Sequence, residues 1–337
     1  MTRACDLKCR HCRANAQRHC HPDELSPGDA RRLVDQLLEF PKPPLLVLTG
    51  GDPIKRPDVF DVVDYAVQRG LKVAMTPSAT PLVTFDAIQR LKAAGLHRLA
   101  VSLDGADAAT HDDFRHVAGS FDRTLEIIKD AHMVGLAVQV NTTVVRGNFH
   151  QIDQIAELLG TMNIVLWSVF FLIPTGRAVA RLRISAEECE ATFGKLWAQS
   201  QRQPYMIKTT EAPHYRRFLV QQQQHPGRVT GTVGTNDGRG IMFVSHIGEI
   251  YPSGFLPICT GRFPLDSVVR TYQEASLFIA LRDPNQLKGK CGACEFRQLC
   301  GGSRSRDFAL TGDPLASDPD CSYVPASWIG ETFEAAR

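Results

Sequence analysis

Between residues 26 and 170, two spacings of apolar residues alternate along the chain. In "SPGDARRLVDQLLEF", Leu33, Val34, Leu37 and Leu38 share one helical face. Ser26 stands at the N-cap, Pro27 at the first helical position and Asp29 where a capping-box acid sits. The stretches "PDVFDVVDYAVQRG", "TFDAIQRLKAAG", "SFDRTLEIIKDAHMVG" and "HQIDQIAELLG" keep the same period, and glycines such as Gly70 mark their ends. Between them lie the short apolar runs "LLVLT", "LKVAM", "HRLAVS", "LAVQVNTTV" and "IVLWSVFFLI", which read as strands. Strands alternating with helices of about 10 to 15 residues predict a parallel sheet with right-handed crossovers.

The number of units predicts an α/β fold, a partial (β/α)6 barrel of the TIM type, with a small cysteine-rich C-terminal domain. Such barrels carry their chemistry at the C-terminal ends of the strands. The segments found there, "TGGDP", "TPSAT", "SLDGAD", "NTTVVRGN" and "PTGRA", are polar and glycine-rich, as one functional rim requires. After about residue 178 the rhythm changes. "SAEECEATFGKLWAQSQ" and "EAPHYRRFLVQQQQ" read as helices, "GTVGTNDGRG" as a loop and "IMFVSHIGEIYPSG" as a hairpin turning near Gly248. Three regions follow: a core over 1–178, a connection over 179–240 and a C-terminal domain over 241–337.

A chain of 337 residues with 43% hydrophobic side chains can bury a large core. Its 38 basic and 36 acidic residues leave a net charge of +2 and no electrostatic footprint for nucleic acid or an anionic membrane. The longest apolar run, residues 164–173, is half of the roughly 20 residues a bilayer span needs. Arg3, Asp6, Lys8 and Arg10 interrupt any secretory signal, which predicts a cytoplasmic protein whose cysteines are ligands or buried hydrophobes.

The ten cysteines fall into two groups. Cys5, Cys9, Cys12 and Cys20 open the chain, Cys259, Cys291, Cys294, Cys300 and Cys321 close it, and Cys189 stands between. In "TRACDLKCRHCRA" three thiols lie within eight residues, one short of the four ligands of a structural zinc site. A 4Fe-4S cluster held by three cysteines keeps one iron open to a small molecule. The second group, "KCGACEFRQLCGGSRSR" followed by "DPDC", has spacings that suit zinc or a fully ligated 4Fe-4S cluster equally. The three-cysteine loop of such a barrel follows a strand, and only Met1 to Ala4 precede Cys5, so a first strand upstream of the chain is expected.

Cys-x3-Cys-x2-Cys at the start of a partial barrel, with a "GGD" turn after a strand about 40 residues later, resembles the radical S-adenosylmethionine superfamily over Thr2 to about Gly176. The resemblance implies a 4Fe-4S cluster on Cys5, Cys9 and Cys12, with S-adenosylmethionine at the open iron. It implies reductive cleavage to a 5'-deoxyadenosyl radical that takes a hydrogen from substrate, and a flavodoxin- or ferredoxin-type electron donor. Gly50, Gly51, Asp52 and Pro53 match the turn that holds the cosubstrate's amino group, with Asp52 where glutamate is commoner. Ser102, Asp104, Asn141 and Thr143 fit the strand-end positions near the ribose, and His11 takes a position usually aromatic.

The C-terminal segment resembles the SPASM-type extension of that superfamily, which implies an auxiliary 4Fe-4S cluster on Cys291, Cys294, Cys300 and Cys321. Arg304 and Ser253 replace cysteines of the two-cluster form, so one auxiliary cluster is expected; Cys259 reads as a free thiol, and Cys20 and Cys189 as spectators. "GEIYPSGFLP", "CGACEFRQLCGG", "SRSR", "TGD" and "DPDC" resemble the branch that modifies iron-porphyrin and heme d1 precursors, implying a tetrapyrrole substrate. Arg177, Arg216, Arg217, Arg304 and Arg306 are candidate carboxylate clamps, and His214 or His246 a candidate axial ligand. The alternatives are a maturase of ribosomally made peptides and, from another class, a non-catalytic metal-binding scaffold. The scaffold has no use for the glycine turn and strand-end polar residues.

Overall fold

The structure is a computed structural model that describes residues 1–222 and 234–329. The sequence readings at 223–233, including the end of the glutamine run, lie outside the described residues. The expected alternation is present, with one helix, α4, that the sequence reading lacks: α1 (Pro27–Leu37), β1 (Leu46–Leu48), α2 (Val59–Gln68), β2 (Val73–Met75), α3 (Phe85–Ala93), β3 (Arg98–Ser102), α4 (Ala108–Arg115), α5 (Ser120–Met133), β4 (Val138–Val144), α6 (Ile152–Gly160) and β5 (Leu166–Phe171). The capping box is formed as read, Ser26 accepting from Asp29 N–H while Asp29 accepts from Ser26 N–H.

Six parallel strands pair in the order β1-β2-β3-β4-β5-β6, and β1 and β6 remain the two edges. The sheet is therefore an open, partial barrel. Its sixth strand, β6 (Met206–Thr210), pairs with β5 and follows α7 (Ala186–Ser200). The sequence reading gives no element between its helices over 185–201 and 211–224; five residues at a half-covered edge give too short an alternation to announce a strand. Among the described residues no strand precedes Cys5. Instead Thr2 and Ala4 carbonyls accept from Gly51 and Asp52 N–H, both at 2.7 Å.

Alternation decides what each face does. On β4, Val138, Val140, Thr142 and Val144 are buried beneath helices, while Gln139, Asn141 and Thr143 on the other face remain partly exposed. Val138 and Val140 join Leu99, Val101, Trp167, Val169, Ile127, Ile155 and Phe193 in the main core. After α8 (His214–Gln222) comes a small antiparallel sheet, β7 (Phe243–Val244), β8 (Glu249–Tyr251) and β9 (Gly261–Arg262), its first hairpin turning over 245–249 as expected. Helices α9 (Val268–Glu274), α10 (Ser276–Arg282), α11 (Gly289–Ala293) and α12 (Arg304–Thr311) complete the described chain. None of its helices is long and apolar enough to cross a membrane.

Candidate metal and cosubstrate site

The loop from Cys5 to Cys12 sits at the rim where the strands end. Cys5 and Cys9 are buried, with Cys12 packed against them. Each sulfur has a donor pointed at it: Leu7 N–H at 3.4 Å from Cys5 Sγ, Arg115 Nη1 at 3.6 Å from Cys9 Sγ and Ala16 N–H at 3.4 Å from Cys12 Sγ. Ser78 Oγ, from the "TPSAT" segment, is 3.2 Å from Cys5 Sγ. Donors arranged around sulfur are the surroundings of thiolates that ligate a cluster. Burial pushes the Cys5 thiol up, so a cation at the site is what would hold it ionised.

Four braces fix this loop. Gly51 lies so close that a Cβ there would come within 2.4 Å of Ala4 O, and a Cβ on Gly176, at φ +64°, would come within 2.4 Å of Cys12 O. Arg177 donates from its backbone to Cys12 O, from Nε to Cys9 O at 3.0 Å and from Nη1 to Ala16 O at 2.8 Å. Arg13 stacks 4.7 Å over Phe243 and donates to Gly254 O, tying the loop to the small sheet.

Asp52 is fully buried and internally engaged, accepting from Ile54 N–H and Ser78 N–H at 3.3 Å and from Thr80 Oγ1 at 2.7 Å. Burial raises its pKa. Its visible work is to lock the Gly50–Gly51 turn to the loop after β2; Pro53 opens the short 3-10 turn behind it. Asp104 is likewise committed, paired with Arg115 (Nε at 2.7 Å) and accepting from Thr143 N–H at 2.7 Å. Burial raises its pKa, and the Arg115 charge together with His11, His111 and the Thr143 hydrogen bond more than offsets that, leaving it below the usual carboxylate range. Arg115 thus joins Asp104 to Cys9, a link absent from the sequence reading because α4 was not foreseen. Ser102 and Asn141 pair in register on the open face of the sheet, where their side chains can meet a ligand. His11 stacks on Phe114 at 4.3 Å, with Nδ1 buried and unpartnered.

Cys291, Cys294, Cys300 and Cys321 line one cavity together with His214 and Asp318. Asp318 N–H donates to Cys291 Sγ and Gly302 N–H to Cys300 Sγ, each at 3.4 Å. Burial pushes the Cys291 thiol up to about 12 and raises Cys294, Cys300 and Cys321 as well. Arg304, which takes the place of a further cysteine, turns its guanidinium to Cys291 Sγ at 3.8 Å. Ser253, at the other replaced position, lies 3.3 Å from Ser305 Oγ. Cys259 is exposed and outside this cavity, Cys20 is exposed and Cys189 is buried in the main core.

The five arginines nominated as carboxylate clamps are all spent on structure. Arg177 holds the first loop, and Arg216 donates to Leu299 O and Thr235 O. Arg217 pairs with Glu190, Arg304 with Asp307, and Arg306 with Asp318 and Asp320. His214 is fully buried with Nδ1 3.7 Å from Asp318, and His246 packs edge-on to His21.

Residues 1–159 match the radical SAM superfamily. The chain is also 37% identical over 334 residues to an AdoMet-dependent heme synthase of Methanosarcina barkeri, across 96% of this chain and 95% of that protein. The chain belongs to the radical SAM superfamily. A second AdoMet-dependent heme synthase, from Nitratidesulfovibrio vulgaris, is 37% identical across 96% of this chain and 91% of that protein. Among solved structures, Streptococcus suis SuiB bound to its precursor peptide SuiA superposes with a TM-score of 0.75 at 17% identity, covering 96% of this chain and 74% of SuiB. That likeness is one of fold.

Membership makes this chain an iron-sulfur enzyme that uses S-adenosylmethionine, and the first cysteine set fits the family's 4Fe-4S cluster in number, burial and donors. The second set supplies, around one cavity, the four cysteines that a fully ligated auxiliary cluster takes.

Proposed function

We propose that this enzyme abstracts hydrogen from a side chain of an iron-porphyrin precursor. The observation that carries the reading is the extent of the likeness to AdoMet-dependent heme synthases, which runs through the barrel and on across the C-terminal cysteine segment. Cys5, Cys9 and Cys12 would hold the radical-generating cluster, Cys291, Cys294, Cys300 and Cys321 the auxiliary one, and Gly50, Gly51, Ser102 and Asn141 would border the cosubstrate. Bound there, the cluster and S-adenosylmethionine supply the 5'-deoxyadenosyl radical. The chain's own part is to hold the cysteine loop rigid through Arg177, Arg115 and the Gly51 contact, and to present the substrate on the open face. A flavodoxin- or ferredoxin-type donor in the cytoplasm would supply the electron.

Anaerobic, reconstituted protein with S-adenosylmethionine and reductant tests this. Release of 5'-deoxyadenosine should rise with a carboxylate-bearing iron porphyrin and stay at its basal rate with short peptides. The reverse pattern would establish the peptide-maturing alternative, which rests on likeness of fold and on 28% identity over 330 residues to a mycofactocin maturase.

A further inference from the structure

A closed barrel fills its interior with layers of apolar side chains. Here the face of the sheet turned away from the helices mixes polar side chains with apolar ones such as Leu166, Phe170 and Met206. It carries Arg98 and Ser102 of β3, Gln139 and Asn141 of β4, Ser168 of β5 and Lys208 of β6. The pairings Ser102 with Asn141, Asn141 with Ser168 and Ser168 with Lys208 set four of these in one row. That row runs from the residues assigned above to the cosubstrate's border to a lysine on the edge strand.

Two cations stand on this face, and none of the six strands contains an acidic residue. Among the described residues neither Arg98 nor Lys208 has an ion-pair partner, and Arg98 Nε is buried without a hydrogen bond. Although Lys208 is an exposed residue, partial desolvation of its ammonium, then the charges of Arg98 and Arg216, pull it below its usual range, so the three positive groups feel one another. Like charges set on one face with no acidic neighbour repel, and an anion placed between them relieves that repulsion. The nominated arginines are engaged elsewhere, which leaves these two free.

We propose that Arg98 and Lys208 are the carboxylate-binding residues of the substrate site, holding an ionised side chain of the porphyrin on the open face. The Arg98 guanidinium can take both carboxylate oxygens in a fork, and Lys208 adds a point charge. This rests on the porphyrin reading above.

The test is absorbance titration of the reconstituted enzyme with iron coproporphyrin and with its methyl ester, for wild type, Arg98→Gln, Lys208→Gln and Lys208→Arg. Lys208 is exposed on an edge strand, so its neutral variant removes no packing, and thermal unfolding checks each fold. Each neutral variant should weaken binding of the acid by about tenfold or more, Lys208→Arg should restore most of it, and the ester should bind wild type and variants alike. Wild-type affinity for the acid in both neutral variants would overturn the assignment while leaving the porphyrin reading intact. Equal wild-type affinity for acid and ester would overturn it as well, even if a variant failed to fold. Wild type that binds neither porphyrin would instead remove the substrate reading itself.

Discussion

Gly51 has no room for a side chain, because its Cβ would sit 2.4 Å from the Ala4 carbonyl oxygen that anchors the cysteine loop. Gly51→Ala should destabilise the protein by about 1 to 3 kcal/mol and lower iron per chain after reconstitution; thermal unfolding and iron assay measure both. Cys9→Ala should abolish 5'-deoxyadenosine formation outright, and retained formation would remove Cys9 from the cluster. His111 is a different kind of residue-scale device. It is fully buried, its Nδ1 accepts from Asp104 N–H at 3.0 Å, and Nε2 lies 3.2 Å from Ser120 Oγ, so only the neutral ring fits. Burial, then the Arg115 charge, lowers its pKa from 6.5 to about 4. A depressed histidine contributes stability above its unfolded value and loses it as pH falls toward the folded one. By pH 5 the loss should be about 2 kcal/mol, and His111→Gln should flatten the fall of unfolding temperature between pH 6.5 and 5.

At the scale of elements, α4 is the connection on which the site turns. Asp107 caps it by accepting from Thr110 N–H at 2.8 Å, and its last residue, Arg115, reaches back to Asp104 after β3 and to Cys9 in the loop. Arg115→Met would leave the fully buried Asp104 carboxylate unpaired, at a cost of about 3 to 5 kcal/mol, visible as a lower midpoint in urea. The helices α1, α2, α3, α5 and α6 and the strands β1 to β5 were legible because each has a long or repeated period and, for most, a cap or glycine stop. The strand β6 and helix α4 were not. Five residues at an edge and eight residues with two buried side chains carry too little periodicity to stand out. Lys208 was hidden with its strand. Arg98, inside a run that was read correctly, was legible as an inward position of "HRLAVS", but a charge in a strand attracts no notice until the face it shares is seen to lack acids.

Over the whole molecule, the two cysteine groups at opposite ends of the sequence were the clearest signal, since spacing survives any uncertainty about the elements around them. What spacing could not show is which charges are free. The buried pairs of Arg306 with Asp318 and Asp320, and of Arg304 with Asp307, form a polar core behind the second cysteine set. Such pairs are invisible until the chain is folded, because their partners lie far apart or on one short helix. The central claim, that this architecture delivers a radical to a porphyrin side chain, is tested most directly by isotope transfer. Iron coproporphyrin deuterated in its propionate side chains should yield deuterium-labelled 5'-deoxyadenosine, matched by a mass change in the porphyrin. Unlabelled 5'-deoxyadenosine beside an unaltered porphyrin would contradict the account.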